Sequence, residues 1–188
     1  MKSLLFLLVL FITFQVYVIS QNTAFEKGTI ITKKNDTLKV FVELSVTYLD
    51  KVYYKTDVNS SEQNIKINKI KSLATPYNHF ENIAVERNEY LFRSVVAGKY
   101  SLLQYVEVNN GPSHPSQRGT MTMYTAPTII YAVKTNDGVY ILKKKKDKEL
   151  LFPLLNNCLE IKAKIEQKSF NLEDLEEVVK GMNKCRNE

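Results

Sequence analysis

Two runs of β-branched, aromatic and aliphatic residues within Tyr90–Tyr105 meet at Ala97-Gly98-Lys99, and they constrain the fold of this chain more than any other stretch. Such a pattern reads as a β-hairpin. Both runs carry apolar residues on both faces, which predicts central, covered strands rather than a solvated edge. Gly98 is expected at positive φ. The register is open. A two-residue loop at Ala97-Gly98 sets Phe92 opposite Leu103 and Tyr90 opposite Tyr105, whereas a three-residue loop with Gly98 left-handed pairs Phe92 with Leu102.

A period of two extends to both sides. Gly28–Thr32 reads as a strand, Lys33–Asp36 as a turn and Thr37–Val46 as a long second strand. There Leu38, Val40, Val42, Leu44 and Val46 alternate with Lys39, Phe41, Glu43 and Ser45, giving an apolar inner face and a mostly polar outer one. Lys51–Thr56 is another strand, Asp57–Asn64 a polar loop, and Ile65, Ile67 and Ile70 continue the alternation. Ser72–Asn78, with Pro76, reads as a break. Phe80–Glu86 and the run from Tyr90 are strands around a turn at Arg87-Asn88-Glu89. The stretch 109–119 has two prolines, two glycines and no apolar residue, and is expected to be an exposed loop. Pro127–Lys134 and Gly138–Leu142 form a second hairpin around Asn136-Asp137-Gly138.

From Asp147 the period changes. Leu150, Leu151, Leu154 and Leu155 recur at helical spacing, with Pro153 either in a first turn or breaking the segment. Leu159–Ile165 fits either period, and its Glu and Lys neighbours favour helix. Asn171–Lys184 is the clearest helix: Asn171 is a suitable N-cap, acids fill the first turns, and Leu172, Leu175, Val178, Val179 and Met182 form one stripe. The expected fold is therefore α+β: an antiparallel β-rich sheet or partly closed barrel-like roll over 26–142. The organisation read from it is a leader at 1–20, a β domain at 21–146 and a C-terminal helical subdomain at 147–188.

The leader has the layout of a cleaved secretory signal: Lys2, an apolar run Leu4–Ile19, and Ser20 before Gln21. An uncleaved anchor is the alternative, since the run is close to the shortest spanning length. Export makes a disulfide between Cys158 and Cys185 the leading reading of the two cysteines. No Cys-x-x-Cys is present, and the two histidines, His79 and His114, lie far from either cysteine in sequence, which argues against thiol catalysis and zinc. Asn35-Asp-Thr37 and Asn59-Ser-Ser61 match the glycosylation pattern, relevant only in a eukaryotic secretory route.

The order of these features resembles a family of uncharacterised exported proteins common in Bacteroidetes. The matching parts are the leader, Gly28–Thr32, Asp36–Leu38, the Leu91–Leu102 hairpin, and a tail with Cys158, Phe170, Asp174-Leu175 and Asn183–Cys185. The resemblance implies an envelope-exported β-rich domain with a C-terminal helical piece, and no catalytic residues. The 109–119 loop departs from its pattern.

The formal charge is +6. A basic exported protein can meet anionic lipid, acidic polysaccharide or nucleic acid, and the compartment disfavours the last. Lys143, Lys144, Lys145 and Lys146, followed by Lys148, are the candidate anionic-surface contact, for peripheral membrane or polysaccharide; a solvated hairpin end is the plainer reading. Tyr48, Tyr53, Tyr54, Tyr100, Tyr105, Tyr124 and Tyr131 either line a groove or pack within the sheet. Asp36, Asp50 and Asp57 sit in turn contexts. No residue set has catalytic, cofactor-binding or metal-ligating spacing. The expected function is a non-enzymatic binding or structural module for an envelope protein or polysaccharide; the alternative is a hydrolase or other enzyme acting on an envelope polymer.

Overall fold

A computed structural model describes residues 25–43, 50–107, 128–156, 158–167 and 169–185. The leader, the 109–119 loop, His114, Leu44, Val46, Tyr48 and Tyr124 lie outside these residues.

Ten strands form one open antiparallel sheet: β1 Phe25–Thr32, β2 Thr37–Glu43, β3 Lys51–Lys55, β4 Gln63–Lys66, β5 Ile70–Ala74, β6 His79–Val85, β7 Asn88–Val96, β8 Ser101–Glu107, β9 Thr128–Lys134 and β10 Val139–Leu142. Their order is β10-β9-β8-β7-β6-β5-β1-β2-β3-β4. The sheet is antiparallel and does not close, and with the helical tail it gives the expected α+β architecture. After β10 come a 3₁₀ segment Lys145–Leu155, helix α1 Leu159–Glu166, a 3₁₀ turn Leu172–Asp174 and helix α2 Leu175–Lys184.

Alternation along the strands gives the sheet two faces. The inner face carries two cores. Ile30, Val40, Val42, Val52, Leu73 and Leu91 form one with Ile67 and Ile70. Val96, Leu102, Tyr131, Val133 and Leu142 form the other beneath Leu151, Leu155, Ile165, Phe170 and the α2 stripe Leu175, Val178, Val179 and Met182. Burying each stripe residue stabilises the fold by roughly 1.5–3 kcal/mol. A third cluster lies on the outer face of β6–β9, around Ile83, Phe92, Leu103, Tyr105, Ile130 and Ala132.

Several local expectations change. Ile67–Lys69 is a 3₁₀ turn between β4 and β5 rather than a continuing strand. It turns Ile67 into the core, while the Asn82 amide donates to the Ile67 and Ile70 carbonyls at 2.8 and 2.7 Å. β5 runs on to Ala74, pairing with β1 and β6, so the break shrinks to Thr75–Asn78. The β6–β7 turn is Glu86-Arg87, not Arg87–Glu89, because Val85 pairs with Asn88 and Glu86 takes φ 59°. The helical tail starts at Lys145, with Pro153 near the end of its first segment; the Asp147 carboxylate accepts the Lys143 and Lys144 N–H groups at 2.8 Å each and starts it early. Asn171 caps a 3₁₀ turn that leads into α2, its own N–H held by Asp174 at 2.8 Å.

The opening hairpin follows neither expected register. Val96 pairs with Leu102 and Ser94 with Leu103, with a bulge at Val95, so the loop spans four residues, Ala97–Tyr100. Gly98 has φ 158°, positive but beside the extended region. What excludes a side chain there is Asn183, near the end of α2: a Cβ on Gly98 would stand 2.6 Å from its amide nitrogen. Asn183 Oδ1 accepts the Tyr100 N–H at 2.9 Å, and its Nδ2 donates to the Tyr100 carbonyl at 2.8 Å. The amide thus pairs with the hairpin backbone as a neighbouring strand would. Two residues on, Cys185 bonds Cys158, closing the tail; by the chain-entropy account a loop of this length stabilises by about 3–4 kcal/mol.

Asn183→Ala is expected to destabilise the protein by about 1–3 kcal/mol, since it leaves both polar groups of Tyr100 without that partner. Gly98→Ala should act through the same contact. A double-mutant cycle in urea checks this: the double variant should cost clearly less than the two single costs added.

Candidate functional site

The lysine run at the end of β10 divides into paired and exposed side chains. Lys143 Nζ pairs with Glu86 at 2.7 Å across the sheet. The pair raises the Lys143 pKa and lowers that of Glu86. Lys148 turns inward, donating to the Ile165 carbonyl at 2.5 Å and standing 5.5 Å from the Phe170 ring centroid. It thereby satisfies a carbonyl of the last turn of α1, where a cation is favoured. Lys144, Lys145 and Lys146 remain exposed at the start of the 3₁₀ segment.

The other sequence candidates are dispersed. Tyr100 and Tyr131 pack in the helix-covered core, Tyr54 in the β1–β5 core and Tyr105 against Phe92 and Tyr90 on the outer face, so these four tyrosines line no common groove. Burial raises the pKa of Tyr105 and Tyr131. His79 opens β6, with Nε2 3.9 Å from Glu81. Asp57 accepts the Asn59 N–H in a local turn, and Asp36 is bonded to Thr32. Among the described residues no three His, Cys, Asp or Glu side chains gather as a metal site. The disulfide borders an open cleft of about 490 Å³, with Leu159 exposed and Gly181 packed closely under Ile161.

A different surface emerges on the outer face of β1–β4. Lys27 stands opposite Phe41, and Phe41 opposite Lys55; Thr29 stands opposite Lys39, Phe25 opposite Glu43, and Lys51 opposite Lys66. Period two and this register bring Lys27, Lys39, Lys51, Lys55 and Lys66 to one face with Phe25, Phe41 and Tyr53, against a single acid of these strands on that face, Glu43; Glu26, opposite Val42, belongs to the other face. Two ammonium groups are positioned over rings: Lys55 lies 4.6 Å from the Phe25 centroid and Lys51 5.1 Å from that of Tyr53. Tyr53 also raises the Lys51 pKa through a side-chain hydrogen bond. Lys27, Thr29, Lys39 and Phe41 border a shallow cleft of about 480 Å³, whose far wall is Ala74, Thr75 and Pro76. Lys51 and Lys66 are a like-charged pair directly across two strands, an arrangement that opposes folding. The sequence signal for this face was the alternation in Thr37–Glu43 with Lys39 and Phe41 pointing outward.

Glu89 binds Lys33 at 2.7 Å and accepts from Asn82 at 2.8 Å, joining the β1–β2 turn to β6–β7. The Lys33 hydrogen bond lowers the Glu89 pKa below its ordinary 4.5, against a smaller opposing effect of burial.

Two outcomes follow from these charges. Lys66→Glu should raise the urea midpoint, and the gain should shrink as salt rises, because it turns a repulsive cross-strand pair into an attractive one. For Glu89, a lowered folded-state pKa means that ionisation stabilises the fold above about pH 4.5 and contributes less as the pH falls through the lowered value. Glu89→Gln should therefore lower the melting temperature at neutral pH, and the difference from the parent should close below pH 4.5 in a calorimetric series. No protein-family model matches the chain, and neither curated proteins nor solved structures give a match, so the β1–β4 face stands on its chemistry alone.

Proposed function

We propose that the chain is an exported, non-enzymatic binding module that engages an envelope partner through the outer face of β1–β4. The observation that carries this reading is the concentration of five lysines against one acid on that face, including the opposed pair Lys51 and Lys66. A fold selected for stability alone gains from placing an acid opposite a lysine. A face that must attract an anion retains both cations. The leader-like segment 1–20 and the bonded cysteine pair support export, since such bonds persist in oxidising compartments.

The test is retention of the purified mature protein on washed envelope sediment across a salt series. Lys27→Gln/Lys39→Gln/Lys66→Gln should lose most retention at low salt while keeping the parent's unfolding midpoint or exceeding it. Lys144→Gln/Lys146→Gln should behave as the parent. Full retention by the triple variant would place the contact elsewhere. Release of soluble fragments from the sediment by the protein alone would replace this reading with that of an enzyme acting on an envelope polymer.

A further inference from the structure

We infer that the occupant of the β1–β4 outer face is an extended acidic polysaccharide, a polymer of uronic-acid-like sugars whose carboxylates meet the lysines and whose ring faces lie on Phe41. The inference rests on the reading that this face is the binding surface, and it names the class of ligand.

Three features of the surface select this chemistry. The first is spacing. Lys27 and Lys39 are diagonal across β1 and β2, about 7–8 Å apart at their backbones. Lys55 and Lys51 continue the positive row across β3. Cations spread over four strands suit a polymer with charges at intervals along its length; a single compact phosphate would leave most of them unused. The second is preorganisation. Lys55 over Phe25 and Lys51 over Tyr53 are held against rings, so less side-chain freedom is lost on binding. The third is Phe41, which borders the cleft between Lys27 and Lys39 with Thr29 beside it. A flat apolar ring flanked by ammonium and hydroxyl groups matches a sugar: C–H bonds on the ring face, with hydroxyls and a carboxylate around its rim.

An anionic membrane is the weaker fit. Phe25, Phe41 and Tyr53 are half-buried. The large apolar side chains that do protrude, such as Val58, Tyr77 and Leu159, are outside these four strands. A surface that enters lipid needs projecting apolar groups beside its cations.

Calorimetric titration of the mature protein with oligogalacturonate is the test. Parallel titrations use the methyl-esterified oligomer, inorganic polyphosphate, vesicles of phosphatidylglycerol and single-stranded oligothymidylate. Oligogalacturonate should bind most tightly, with affinity falling steeply with salt. Lys27→Gln/Lys39→Gln should weaken it about tenfold or more, and Phe41→Leu should weaken it severalfold while leaving polyphosphate binding unchanged. The unfolding midpoints of these variants confirm that they fold. Equal binding of the methyl ester would overturn the role of the carboxylates, and equal or tighter binding of polyphosphate would overturn that of the ring. Preference for vesicles or oligothymidylate through the same lysines overturns the ligand class but leaves the surface assigned. If no probe binds while envelope retention still depends on Lys27, Lys39 and Lys66, the polysaccharide is again excluded and the surface stands. If that retention is also independent of these lysines, the surface itself is wrong.

Discussion

The structure depends on how one face of an open ten-stranded sheet is kept from water. An open sheet cannot cover itself as a barrel does, so the apolar inner residues of β7–β10 need a second layer. That layer is the tail from Lys145 to Cys185, and its main contribution is the α2 stripe of Leu175, Val178, Val179 and Met182. α2 has ten residues, too few to be helical alone in water. Its helicity and the burial of the strands beneath it are therefore one event. The Asn183 amide on Tyr100, the Cys158–Cys185 bond and the Lys148 contact with the end of α1 fix where that layer sits.

Much of the sheet was legible because period two is a strong signal. Thr37–Glu43, Phe80–Val85 and Thr128–Lys134 became strands, and Asp137-Gly138 turned the chain as expected. The α2 stripe was legible from the spacing of its apolar residues. The failures are all local conflicts that tertiary contacts decided. Ile67 and Ile70 fit a continuous strand, but the Asn82 amide can satisfy both carbonyls, and a 3₁₀ turn then buries Ile67. Gly98 suggested a tight turn; its real constraint is a side chain 85 positions later, which no local pattern could announce. Val95 is bulged, and nothing in an apolar run marks which residue will be left out of the ladder.

The candidate site was harder to read for a related reason. Lys143–Lys146 is conspicuous in the chain, but the fold divides it: Lys143 pairs with Glu86 across the sheet, while Lys144, Lys145 and Lys146 stay exposed. Lys27, Lys39, Lys51, Lys55 and Lys66 are scattered over forty positions and become neighbours only through the register of four strands. Charge gathered by pairing cannot be seen by scanning for runs. It could have been sought by writing the outward residues of successive strands side by side, which requires the register first.

The strand order has a kinetic consequence. Every neighbouring pair in the sheet joins strands consecutive in the chain except β5 and β1. The molecule is thus two meanders, β1–β4 and β5–β10, each assembled from short closures and joined along a single seam from Thr29–Thr32 to Ile70–Ala74. Local closures cost little entropy and form early, whereas the seam must wait for β2, β3, β4 and the 3₁₀ turn to be laid down between its two strands. The lysine-bearing meander lies entirely on one side of that seam, and the helix-covered strands β7–β10 lie on the other. The surface that carries the lysines and the strands of the helix-packed core therefore belong to separate meanders, and the seam is the one ladder that holds them in a common sheet.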